Sequence, residues 1–125
     1  MVGKAHAAML AAARAAFPNE VCGLLLGEDA RIDEARAAAN IHPAPGTHFE
    51  IDPQALIDAH RAARAGGPQV IGYFHSHPTG EPVPSSTDRA MAAGDGRVWA
   101  IIAADEVMFW RDTGEGFAAL SYLVI

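Results

Sequence analysis

The stretch Gly72–Asp88, GYFHSHPTGEPVPSSTD, closes an apolar run with two histidines one residue apart and then enters a loop of prolines and serines ending at an aspartate. Val70 to His77 reads as a strand. Side chains alternate along a strand, so His75 and His77 project from one face and Ser76 from the other. Two imidazoles on one face can converge on a single ion. A divalent metal needs at least one more protein ligand, and Asp88 is the candidate that the loop delivers. Pro78, Pro82 and Pro84 restrict the unfolded loop, so returning Asp88 to the histidines costs less entropy.

A shell of two histidines and one carboxylate around zinc leaves a fourth position open for water, the pattern of catalytic rather than structural sites. The field of the ion lowers the pKa of such a water towards roughly 7. Hydrolysis also needs a group outside that shell to move the proton. Glu20, at the mouth of the apolar run VCGLLLG, is available for this, although spacing alone does not place it beside His75 and His77.

Working outward, Lys4 to Ala16 is alanine-rich and helical, ending where Phe17-Pro18-Asn19 interrupts it. Val21 to Gly27 reads as a buried strand. Arg31 to Ala39 is ambiguous, since alanine favours a helix while the tight preceding turn suggests a hairpin partner; we expect a strand. Ile41 to Asp52 is loop-like. Asp52 caps a helix from Pro53 to Ala65, ended by Gly66-Gly67. Ser85 or Ser86 caps a further helix running to Ala93, and strands are expected at Arg97–Ala103, Val107–Arg111 and Phe117–Val124. Mixed elements with consecutive strands at the end imply an α/β chain (α+β-like) in one domain spanning residues 1–125, with helices on a mixed, largely antiparallel sheet.

Composition narrows the function. Half of the 125 residues are hydrophobic and 19% are charged, which suits one packed core. The formal net charge is −6 with scattered basic residues, so no surface for tracking nucleic-acid phosphates is expected. The apolar runs Ala7–Ala13 and Val98–Ala104 are too short to span a membrane. Arg14 interrupts the faint signal-like stretch after Lys4, which reads better as an amphipathic helix. Cys22 is the only cysteine. It excludes an internal disulfide, multi-thiolate zinc sites and zinc deaminase chemistry, and it suits a reducing cytoplasm.

Four pieces in order carry a family resemblance. They are Asn19-Glu20-Val21-Cys22-Gly23 leading to Gly27, His75-Ser76-His77-Pro78, Ser85-Ser86-Thr87-Asp88, and the ten residues separating His77 from Asp88. Together they resemble the signature of the JAMM (MPN-plus) metalloproteases, over nearly the whole chain from Lys4 onward. The resemblance implies a JAMM/cytidine-deaminase-like architecture and one Zn2+ per chain bound by His75, His77 and Asp88. It further implies Glu20 as general base and then acid, and Ser85 as hydrogen-bond donor to the oxyanion. The family cleaves peptide or isopeptide bonds that follow the tail of ubiquitin-like proteins. Compact bacterial relatives resemble enzymes acting on sulfur-carrier proteins ending in Gly-Gly. No long insertion of the kind found in polyubiquitin-selective members is evident.

Other readings stand beside these. A non-catalytic scaffold of the same fold, or an amidase or peptidase acting on an unrelated small substrate, shares the motif residues. Ser85 also suits a helix cap, and Cys22 reads as an inert packing residue. Ser76 is expected to make a structural hydrogen bond. His6, His42, His48 and His60 are expected to be solvated, and Thr79–Val83 to border the metal, where an extended tail could pair its backbone.

Overall fold

A computed structural model describes residues 1–125. In chain order the elements are α1 (Gly3–Ala16), β1 (Cys22–Glu28), β2 (Arg31–Ala38), α2 (Pro53–Arg64), β3 (Gln69–Ser76), α3 (Ser86–Met91), β4 (Val98–Ala103), β5 (Glu106–Thr113) and β6 (Gly116–Leu120). The strands form one sheet in the order β2-β1-β3-β4-β5-β6. Only β3 and β4 run parallel, and the other pairings are antiparallel. This is the mixed, largely antiparallel sheet expected from the element pattern.

The central strands are continuously apolar because both faces of the sheet are covered. On one face, Met9 of α1 belongs to a core with Leu25, Phe74, Ala100 and Ile102. On the other, Leu24 and Leu26 pack with Ala59 of α2. The alanine-rich segment after Asp29 is indeed a strand, and buried Ile32 anchors it. Its pairing with β1 outweighs the helix propensity of its alanines. Asp29 takes the positive φ of 53° that the hairpin turn needs, a conformation to which Asp adapts better than most residues.

Gly72 has a specific purpose: a Cβ there would collide with the backbone carbonyl of Val98 across the parallel pairing. Glycine thus lets β4 approach β3 closely, beside the strand end that carries the histidines.

Several element boundaries differ from expectation: β3 ends at Ser76, leaving His77 just beyond it, β5 runs on to Thr113 rather than Arg111, and two further shifts have a clear cause. α3 stops at Met91 rather than Ala93, because the buried Asp112 carboxylate accepts hydrogen bonds from Ala93 and Gly94 N–H groups and draws the chain onto β5. β6 ends at Leu120 rather than Val124. The last residues turn to the chain's start, where Met1 and Gly3 exchange backbone hydrogen bonds with Ile125. No helix is long and apolar enough to cross a membrane.

Candidate metal centre

The centre forms where β3 runs out. His75 is its penultimate residue, and His77 follows its end. The nearest ring nitrogens of the two are their Nε2 atoms, 3.2 Å apart. Asp88 turns one carboxylate oxygen to each: Oδ1 lies 3.0 Å from His75 Nε2, and Oδ2 lies 3.1 Å from His77 Nε2. Ligand atoms of the three residues all lie within 4.8 Å of one another. Asp88 arrives as the third residue of α3, in a reciprocal cap. Ser85 Oγ accepts from Asp88 N at 3.0 Å, and Ser85 N donates to Asp88 Oδ2 at 2.9 Å. The sequence's capping serine and its candidate metal-ligand aspartate are therefore one motif.

The donor set suits a divalent cation. Two imidazole nitrogens and a buried carboxylate converge, and neither Nε2 has another hydrogen-bond partner. His77 Nδ1 lies 2.8 Å from the Glu81 carbonyl, which can only accept, so Nδ1 carries a proton and Nε2 faces inward. His75, fully buried, is held by rings instead. Phe49 stacks on it at 4.3 Å and Trp99 meets it edge-on at 5.6 Å. With three protein ligands and a cleft on the open side, the geometry is that of a site keeping one position for an exogenous group.

Glu20 reaches this site through strand register. Cys22 pairs with His75 across the antiparallel β1–β3 ladder, so the chain two residues earlier runs alongside His77. Spacing could not reveal this. Glu20 is buried, and its backbone is clamped at both ends: its N–H donates to Pro45 O at 2.7 Å, and its carbonyl accepts from Asn40 Nδ2 at 3.1 Å. Glu20, His77, Ser85 and Asp88 line one cleft of about 400 Å3 between residues 46–49 and residues 77–88. Of the segment Thr79–Val83, all but Pro82 line this cleft.

The electrostatics separate the groups. Burial, opposed by His77 and assisted by Asp88, raises the Glu20 carboxyl to about 7. Burial pushes His75 below the ordinary imidazole value. Burial also acts to lower His77, but its hydrogen bonds to Asp88 and the Glu81 carbonyl outweigh this and leave it raised. Burial disfavours ionised Asp88, yet hydrogen bonds from His75, His77 and Ser85 hold its carboxyl well below the usual range. Cys22 is buried, and desolvation with the Glu20 charge pushes its thiol up to about 12. That is the inert thiol expected.

Ser76 makes the structural hydrogen bond foreseen for it, with Val21 N. Two of the four remaining histidines depart from a simply solvated state. His42 and His48 stack at 4.7 Å with rings 10° apart, and His48 lines the cleft. Sequence reading missed Asn40, Phe49 and Trp110. Asn40 donates to the Glu20 and His48 carbonyls and accepts from His42 and Glu50 N–H groups, tying one cleft wall to Glu20. Only the contact with His42, two residues on, is local; the other three partners are brought to Asn40 by folding.

Residues 3–113 match the family described as prokaryotic homologs of the JAB domain. A desampylase from Haloferax volcanii is 38% identical over 110 residues, covering 86% of this chain and 79% of that protein. A probable TtuB-protein conjugate cleaving protease from Thermus thermophilus is 35% identical over 71 residues, 57% of this chain and 47% of that protein. Among solved structures, a protein from Desulfitobacterium hafniense superimposes with a TM-score of 0.86 at 28% identity, covering 100% of this chain and 93% of the other. On the extent of the family match and the similarity to the Haloferax protein, this chain belongs to the prokaryotic homologs of the JAB domain, within the compact prokaryotic JAMM family.

Proposed function

We propose that this protein is a zinc metallopeptidase that hydrolyses the amide bond after the C-terminal Gly-Gly tail of a ubiquitin-like or sulfur-carrier protein. The observation that carries the reading is the opening of Glu20, His77, Ser85 and Asp88 onto one cleft, with His75 buried behind them. The names of the Haloferax and Thermus relatives, a desampylase and a conjugate-cleaving protease, point to the same class of reaction. The lone, buried Cys22 is compatible with a reducing cytoplasm, where we place the protein.

In this reading His75 Nε2, His77 Nε2 and Asp88 hold the zinc. When bound, the ion supplies a Lewis acid and acidifies a water molecule at the site. Glu20 takes a proton and later returns it to the leaving amine. In the metal-free site burial raises this carboxyl to about 7; a bound cation lowers it again, towards the ionised form that takes the first proton. Ser85 Oγ accepts from Asp88 N, which leaves its own O–H free to donate to the oxygen of a substrate carbonyl as negative charge develops there. The cleft wall at 79–83 offers backbone to an extended tail, and glycines let such a tail pass without side-chain clashes.

Two variants test the assignment. Glu20→Gln should retain one zinc per chain and lose cleavage of a Gly-Gly carrier fusion, whereas His77→Ala should lose both. Cleavage should also stop when a chelator is added to the wild type. Turnover surviving in Glu20→Gln removes Glu20 from the mechanism, and turnover insensitive to chelation removes the metal.

A further inference from the structure

The two histidines are secured in different ways. His75 is boxed in by Phe49 and Trp99, and its Nδ1 has no hydrogen-bond partner. His77 lies beyond the strand, and its outer nitrogen depends on one contact, Nδ1 to the Glu81 carbonyl. Glu81 is itself exposed, beside Gly80 at φ 113°, in a segment outside any helix or strand. Residues 78–84 make only two hydrogen bonds. One is the His77–Glu81 contact. The other joins the very next carbonyl: Trp110 Nε1–H donates to Pro82 O at 3.1 Å.

Trp110 is well placed to act as a fixed post. It lies within β5, opposite Trp99 in the β4–β5 ladder, and packs against the cluster containing Trp99 and Phe49. The sheet therefore positions the indole, the indole holds Pro82 O, and the adjoining Glu81 carbonyl faces His77. We infer that Trp110 is a positioning residue for His77, anchoring the loop so that Nδ1 keeps its proton and Nε2 stays directed at the metal centre. Its consequence for metal binding rests on the metallopeptidase reading, whereas the tautomer it enforces does not. Partners that orient a ligating histidine through its other nitrogen commonly matter 10–100-fold for metal affinity. Trp110 acts one peptide further away, so an effect of about 10-fold is expected.

The test compares the wild type with Trp110→Phe, which keeps an aromatic ring and loses the N–H. Benzothienylalanine incorporated at position 110 provides a second, nearly isosteric variant without the donor, in case phenylalanine disturbs the fold. Zinc affinity is measured by chelator competition. The His77 ring tautomer is read from nitrogen–proton NMR correlations on chelator-treated protein at about pH 9, with Asp88→Ala in every sample, so that the imidazole is neutral and no Asp88 carboxylate competes for an Nε2–H. The expected result is zinc binding weakened about 10-fold with a His77 ring that no longer favours Nδ1–H. Unchanged affinity, or weakened affinity with the wild-type tautomer intact, overturns the inference. Should the wild type itself bind no zinc, the metallopeptidase reading fails, while the tautomer comparison still decides the role of Trp110.

Discussion

Ser76 and Val21 hold each other reciprocally: Val21 N–H donates to Ser76 Oγ at 2.9 Å, and Ser76 N–H donates to the Val21 carbonyl at 3.0 Å. The serine between two metal-facing histidines thus grips the residue next to Glu20. The end of β3 carries the two candidate ligands, His75 within it and His77 just beyond, and between them the clasp that sets the general-base candidate beside them. Ser76→Ala should leave a buried N–H unpaired and cost about 1–3 kcal/mol, seen as a lowered Tm. Zinc stoichiometry should remain at one while kcat falls, because the histidines stay in place and Glu20 loses its brace. A variant with wild-type kcat would show that Glu20 is held by Pro45 and Asn40 alone.

Ser85 should separate stability from catalysis. Ser85→Ala removes the α3 cap, worth about 1 kcal/mol, and also removes the hydroxyl proposed to meet the oxyanion, worth about 2.7–4 kcal/mol, or roughly 100–1,000-fold in kcat. Ser85→Gly should restore most of the stability and none of the rate. If both variants keep wild-type kcat, the hydroxyl serves only as a cap.

The raised Glu20 carboxyl has a consequence for stability. Its folded value of about 7 exceeds the ordinary 4.5, so the folded protein binds the proton more tightly than the unfolded chain. The associated stability is complete below about pH 4.5 and is lost as pH rises through 7. In chelator-treated samples, Glu20→Gln should match the wild type near pH 4.5 and exceed it by about 2–3 kcal/mol at pH 8. Denaturant melts across this range check it, and a constant difference at all pH values would refute it.

Metal binding should displace close to one proton near neutrality. His77 is raised and must lose its proton to bind, whereas burial keeps His75 neutral and Asp88 is already ionised. Calorimetric zinc titrations in buffers of different ionisation enthalpy, at about pH 6.5, should therefore give a release near one rather than two. Release of two protons from the wild type but one from Glu20→Gln would assign the second proton to Glu20, whose carboxyl titrates near 7, whereas two from both would mean that both imidazoles begin charged or that a metal-bound water also ionises.

Val83 tests the route of the tail. It is an exposed hydrophobic residue on the cleft wall. Val83→Asp should raise KM for a Gly-Gly carrier fusion while leaving zinc affinity unchanged. An unaltered KM would place the tail elsewhere.

Much of this site was legible because its parts are locally encoded. The alternation of GYFHSHP, the proline-stiffened loop and the Ser-x-x-Asp cap each follow from geometry over a few residues. The same holds for the end of α2 at Gly66-Gly67 and the cap at Asp52. Boundaries were misjudged where distant groups intervened. The Asp112 carboxylate shortened α3, and the pairing of Met1 and Gly3 with Ile125 shortened β6.

By itself the sequence determined most of the element types, the buried character of β1, and the three candidate metal ligands His75, His77 and Asp88, which the structure brings together. Those depend on side-chain periodicity, turn chemistry and donor type, all of which are properties of short segments. Only tertiary structure decided that Glu20 lies beside His77, that Asn40 clamps it, and that Trp110 anchors the loop at Pro82. Each of those contacts depends on strand register or on packing between segments 20 to 57 residues apart, and such proximity exists only once the sheet has formed.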